Sequence, residues 1–352
     1  MDDKATSTQA TGPEAIVHGG NLDQISRLYP DAPKPWIDLS TGINPIPYPV
    51  LPLAPDIWAR LPTKADEHAL LAAAAARYCA HAPASIVAAP GTQALLQILP
   101  RLRPSGSVAV LAPTYEEHAL CWRSCGHEVR LVDEIDALAE ADVAVVVNPN
   151  NPTGRLLPRA TLHALAAVLA RRNGLLVVDE AFADLCPVQA SLASNLPPAT
   201  LVLRSFGKTY GLAGTRLGFA ITSVDMADRL RRALGPWAVS GPALAIGTTA
   251  LADGRWLEEA RARLTRDGRR LDAMLTATGC TILPSIILGS ATLRGTPLFR
   301  LVESADAADL ADRLAQRGIH VRRFTYNAAW LRFGLPGSEL EWQRLEAALM
   351  AI

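Results

Sequence analysis

Lysine is nearly missing from this chain. Of its 34 Lys and Arg residues only Lys4, Lys34, Lys64 and Lys208 are lysine. In such a sequence an ordinary surface position takes arginine, so Lys208, the one lysine after position 64, points to a property that arginine lacks. A guanidinium stays protonated, whereas a desolvated amine can lose its proton and attack a carbonyl. An excess of charge is missing too, since 34 acidic residues balance the basic ones. Nothing in that balance draws nucleic acid or an anionic membrane, and neither is expected as a partner. Cysteine is sparse: five residues, odd in number and scattered, form no disulfide framework and suit a reducing, cytoplasmic setting. Cys121 and Cys125, with only His118 and His127 nearby, supply no convincing ligand set, so no metal is expected. Apolar runs are broken by charge or proline well short of a membrane's thickness, and the first 14 residues are polar.

What is present is an alternation of helix and strand. Residues 1–14 read as a disordered tail. Residues 15–55 read as an arm with five prolines between 45 and 55, suited to a small domain and a subunit contact. From 56 to 238 short apolar strands alternate with helices, with Val143–Val147 and Leu175–Val178 apolar throughout. Such runs belong to strands buried on both faces of a mostly parallel sheet. The expected fold class is therefore α/β, a large domain with helices on both sides of its sheet. Residues 239–352 read as a smaller α+β domain, with helices at 240–253 and 255–277 and strands near 280–288, 297–302, 319–323 and 329–333. In α/β sheets ligands gather at the carboxyl ends of strands. Gly91, Asn151, Asp179 and Lys208 all fall just past such ends.

Several motifs gain meaning together. Gly91-Thr92-Gln93 opens a helix, offering free backbone N–H groups and the positive end of a helix dipole to a phosphate. Alone, it spells an ordinary capped helix equally well. Ser205 and Arg216 add a hydroxyl and a permanent charge. Asn151, in Asn148-Pro149-Asn150-Asn151-Pro152-Thr153-Gly154, can present its amide to a ring oxygen. Asp179 needs a cationic partner at its buried strand end, and a protonated pyridine nitrogen would be one. Tyr115 can lie on a ring face. Arg332, in the apolar strand Trp330-Leu331-Arg332-Phe333, suits a carboxylate. Arg322 or Arg323 suits a second anion.

Taken together, these residues resemble the fold-type I pyridoxal phosphate enzymes, the aspartate aminotransferase superfamily. The likeness runs from about His18 to the end, with Asn151, Asp179, Lys208 and Arg216 in the family's order. It implies that Lys208 forms the Schiff base with pyridoxal 5'-phosphate. It also implies that Asp179 pairs with the pyridine nitrogen, that Asn151 bonds the ring oxygen and that Tyr115 stacks. Gly91, Thr92, Gln93, Ser205 and Arg216 would surround the cofactor phosphate, and Arg332 the substrate carboxylate. A homodimer is implied as well.

Within the superfamily the sequence resembles histidinol-phosphate aminotransferases and, more closely, threonine-phosphate decarboxylases of cobalamin biosynthesis. His18-Gly19-Gly20-Asn21 is similar to the decarboxylases' N-terminal substrate motif. Asp38-Leu39-Ser40-Thr41-Gly42-Ile43-Asn44-Pro45 is similar to their following segment, with Gly42 where the pattern carries Asn. Phe182 stands where aminotransferases usually carry a tyrosine. The resemblance implies a phosphorylated amino acid as substrate, held by His18, Gly19, Gly42, Asn44, Asn151, Arg322 and Arg332. Arg323 is the alternative to Arg322. An aminotransferase acting on histidinol phosphate or a similar amino acid is the alternative reading.

Overall fold

The computed structural model describes residues 19–283 and 296–351. His18, the tail at 1–14 and most of the strand expected near 280–288 lie outside the described residues. Twelve strands run in chain order: β1 (Ile37–Leu39), β2 (Ile86–Ala89), β3 (Ser107–Leu111), β4 (Glu128–Val132), β5 (Val143–Val147), β6 (Leu175–Asp179), β7 (Thr200–Ser205), β8 (Gly218–Ile221), β9 (Thr281–Ile282), β10 (Arg300–Glu303), β11 (Ile319–Arg323) and β12 (Trp330–Phe333). Seven of them form a large sheet in the order β2-β8-β7-β6-β5-β3-β4, with β8 antiparallel to both its neighbours. The joins among β4, β3, β5, β6 and β7 are parallel.

Every residue of β5 and β6 is buried. Side chains alternate across a strand, and here each side meets its own core. Val143, Val145, Leu175 and Val177 enter one cluster, while Ala144, Val146, Leu176 and Val178 enter the other. This is why both strands read as unbroken apolar runs. The first long helix runs over Lys64–Tyr78. Thr63 and Asp66 form a reciprocal capping box that satisfies the first free N–H groups.

The second sheet has the order β1-β11-β12-β10-β9. Its first strand comes from the N-terminal arm and pairs in parallel with β11, Ile37 opposite Ile319. β11 and β12 are antiparallel, with Arg322 directly opposite Arg332. A third core lies under this sheet. The 24-residue helix Gly254–Ala277 spans two cores: Trp256 packs on the cluster that holds Ala144 and Val146, and Leu264, Leu271 and Leu275 enter the third. Among the described residues no helix is long and apolar enough to cross a membrane.

Candidate active site

A cavity of about 250 Å³ lies where the carboxyl ends of β5, β6 and β7 face the β11–β12 hairpin. Lys208 reaches it from the short helix Phe206–Thr209, which follows β7 directly. Burial pulls the Lys208 amine down to about 8; neighbouring Arg332 and Arg216 push the same way, and Asp179 opposes them. A lysine in this state supplies an appreciable neutral fraction near neutral pH, which is what carbonyl addition requires.

Asp179 ends β6 and is 5% exposed. Its Oδ2 lies 3.0 Å from Nε2 of fully buried His118, and its Oδ1 accepts from the Ala181 N–H at 3.0 Å. Both oxygens are thereby fixed, with the carboxylate lining the cavity. The sequence reading weighed His118 only as a metal ligand. Its position on the helix Glu117–Ser124, behind the cavity, gives it another task, that of orienting Asp179.

The first turn of the helix Thr92–Ile98, which also lines the cavity, has no side-chain cap. Arg216 lies against it so closely that a Cβ on Gly91 would sit 2.8 Å from Arg216 Nη2. A Cβ on Gly218 would sit 2.5 Å from the Thr92 nitrogen. Glycine at both places lets a guanidinium, backbone N–H groups and the Ser205 hydroxyl converge around one small volume. Gln93 also lines the cavity; its amide nitrogen donates to Glu117 at 2.6 Å and its oxygen accepts from the Tyr115 hydroxyl at 3.5 Å. Tyr115 lines the same wall, its ring edge-on to His118 with centroids 6.1 Å apart.

Arg332 is 6% exposed. Its Nη1 donates to Asn151 Oδ1 and its Nη2 to the Ser40 carbonyl at 2.6 Å. Asn151 therefore turns its oxygen to Arg332, leaving its NH2 to donate elsewhere. Burial, with Arg322 adding to it, lowers Arg332 to about 10. Gly19 and Gly42 complete this side. A Cβ on Gly19 would meet the Ser40 oxygen at 2.5 Å.

Position parity separates the two neighbouring arginines. Ile319, Val321 and Arg323 share one face of β11, and His320 and Arg322 share the other. Arg322 lines the cavity and has a buried Nη1 without a partner among the described residues. Arg323 instead donates to Asp312 at 2.5 Å, outside the cavity. Asn44 is a correction to the sequence reading, which placed it at the substrate. Its Nδ2 donates to the Thr209 carbonyl at 2.8 Å, and its Oδ1 accepts from Ile46 and Arg263. Its backbone N–H donates to the Lys208 carbonyl at 2.9 Å. It is 1% exposed and clamps the loop that carries the lysine.

Phe182 lies at the amine, with Lys208 Nζ 5.9 Å from its ring centre, and packs edge-on against Phe299 at 5.2 Å. A Cβ on Gly42 would lie 2.8 Å from Phe299 Cδ1 and 3.1 Å from Phe182 Cε1. The two departures noted in the sequence are thus in contact: these rings occupy the space that a side chain at 42 would need.

The donor set fits pyridoxal phosphate. The lining brings together an anion cradle, an amine, an oriented carboxylate and a donor amide at Asn151. Among the described residues buried Arg332 donates only to neutral acceptors and keeps Nε unpartnered, which leaves room for a further anion.

Comparison with known proteins agrees with this geometry. The threonine-phosphate decarboxylase of Pseudomonas aeruginosa is 42% identical over 338 residues, 95% of this chain and 97% of that one. The threonine-phosphate decarboxylase of a Sinorhizobium species is 43% identical over 339 residues, with the same coverage. The histidinol-phosphate aminotransferase of Sinorhizobium meliloti, solved in complex with pyridoxal-5'-phosphate, is similar in fold, with a TM-score of 0.76 at 24% identity over 98% of this chain and 97% of that one. The family model for aminotransferase class I and II matches residues 61–349, and with that match the two-sheet fold has its place: the chain belongs to the class I and II aminotransferase family.

Proposed function

We propose that this chain is a pyridoxal-phosphate-dependent carboxy-lyase. It takes L-threonine O-3-phosphate to 1-amino-2-propanol O-2-phosphate and CO2, a step of cobalamin biosynthesis. The observation that carries this reading is the pair of cavity-facing arginines at one register position, Arg322 opposite Arg332, each with a buried nitrogen free of partners among the described residues. Two such cations beside one amine suit an amino acid with two anionic groups. The relatives named threonine-phosphate decarboxylase support the same choice.

The residues then divide the work. Gly91, Thr92, Gln93, Ser205 and Arg216 would hold the cofactor phosphate, Tyr115 would support the ring, and Asn151 would donate to the ring oxygen. Asp179, oriented by His118, keeps the pyridine nitrogen protonated. When bound, the cofactor supplies an electron sink for the pair left at the substrate Cα. Arg332 holds the carboxylate, and Arg322 holds the phosphate with the Gly19 segment. Together the two arginines would fix how the substrate is turned about its Cα. Lys208 delivers the proton that replaces CO2 at Cα.

Product analysis with threonine phosphate as sole substrate tests the reading. CO2 and the amino alcohol phosphate are expected without any 2-oxo acid. Amino transfer to 2-oxoglutarate with no CO2 would establish the aminotransferase alternative instead. A homodimer is part of the proposal, supported by the exposed apolar side chains Leu51, Trp58 and Leu61 on or beside the arm, at 75%, 68% and 63% exposure. Sedimentation at micromolar concentration would test it, a monomer being the adverse result. Five unpaired cysteines support a cytoplasmic location. The division near residue 238 into a large cofactor-binding and a small domain is proposed on the same footing.

A further inference from the structure

We propose that Tyr326 is a specificity-determining residue of this site: its hydroxyl donates a hydrogen bond to the distal anion that Arg322 holds. The inference rests on the phosphorylated-substrate reading above.

Tyr326 belongs to the turn at 324–329 that joins β11 to β12. That hairpin carries both cavity arginines, and directly opposed residues of an antiparallel pair project from the same face. Tyr326 lines the cavity and is 44% exposed, which places it at the mouth. Its ring is held on two sides. Phe324 packs against it with centroids 5.4 Å apart, and Trp330 meets it edge-on at 6.3 Å. Phe324 also carries the Arg322 guanidinium, 5.6 Å from its ring centre. One phenylalanine therefore sets the position of both the cation and the phenol.

The hydroxyl itself makes no hydrogen bond to protein among the described residues. Burial pushes the phenol up to about 12, Glu116 adds to this, and Arg322 and Arg332 oppose it. The group thus remains a donor at neutral pH while lying within electrostatic reach of both guanidiniums. A neutral donor suits this place. Arg322 and Arg332 already raise the energy of each other's charge, and a third cation would add to that repulsion. A phosphate has three acceptor oxygens, more than one guanidinium edge can satisfy. A phenol adds the missing bond without adding charge. An amino acid with no distal anion offers it nothing.

The test uses the full chain loaded with pyridoxal phosphate. Tyr326→Phe keeps the ring and its packing and removes only the oxygen. KM for threonine phosphate is expected to rise about tenfold to a hundredfold, the range for a hydrogen bond to a charged group, with kcat within about threefold of wild type. Binding of unphosphorylated L-threonine, followed by the change in cofactor absorbance, is expected to be unchanged. An unchanged KM would overturn the inference, as would an equal loss of affinity for L-threonine, which would mark a general packing role. Wild type that prefers threonine phosphate to threonine, beside a variant with the same preference, would sink this inference alone. Wild type with no such preference would sink the phosphorylated-substrate reading, and the inference with it.

Discussion

Arg204, near the end of β7, and Arg332, in β12, are 4% and 6% exposed. Arg204 donates to the Glu180 carboxylate at 2.8 Å and to Asp184, and its guanidinium lies 4.5 Å from the centre of the Tyr78 ring. Those two carboxylates hold its charge well above the ordinary arginine range against the cost of burial. Arg332 also lies over a ring, 4.9 Å from the centre of Phe299, but among the described residues its hydrogen bonds go only to an amide oxygen and a backbone carbonyl, and burial and Arg322 draw it down. Both lie in one chain at one depth, so burial alone does not distinguish structure from function. The partner does. A buried cation that brings its own carboxylates is architecture, whereas one left among neutral dipoles lowers stability and awaits an anion from outside.

Substitutions on the two sides should separate these roles. The largest effect is expected at Lys208, another cation on the cavity side. Lys208→Ala should cut turnover of the loaded enzyme by at least about 10⁴-fold, with no loss of melting temperature; retained turnover would reject the site. Next comes the architectural arginine. Arg204→Met leaves Glu180 and Asp184 buried without their cation and should lower unfolding free energy by about 3–5 kcal/mol, read from urea midpoints. Adding Glu180→Gln and Asp184→Asn should recover most of that loss. A smaller and opposite pattern is expected at Arg332. Arg332→Gln should lower kcat/KM about 10²–10³-fold while leaving the urea midpoint unchanged or raised. A parallel fall in stability at Arg332 would erase the distinction drawn above.

The smallest effect is a pH dependence. Lys208 sits at about 8 in the fold against an ordinary 10.5. Between those values the unfolded chain binds a proton that the native chain does not, so native stability rises with pH across that window. Below about 8 the penalty for burying the ammonium is fully present. In the cofactor-free protein, the stability advantage of Lys208→Met over wild type should therefore shrink as pH rises from about 8 to 10.5. An advantage that ignores pH would show that Lys208 is not desolvated.

Much of this was legible in the residues. β5 and β6 are apolar at every position before Asp179 because both their faces meet a core, and the composition singled out Lys208 because arginine does almost every other basic job. Some was not. His118 carries no local signature, since its partner is 61 residues away and the contact exists only once β6 and the helix Glu117–Ser124 pack. Asn44 was misplaced for a related reason. A motif records which residues are close in sequence, while the hydrogen-bonding needs of the 208–210 backbone, 165 residues on, decided where that amide points. Arg322 and Arg323 were separable in principle, because strand parity fixes which of them joins Arg332 on one face; the register with β12 was the missing fact.

Gly42 has a consequence for how this enzyme can change over time. The rings of Phe182 and Phe299 fill the space where a side chain would begin. A larger residue at 42 would force two rings aside next to the reactive amine. Room for a larger residue at 42 therefore depends on a smaller side chain at 182 or 299, which ties the shape of this wall to three positions at once.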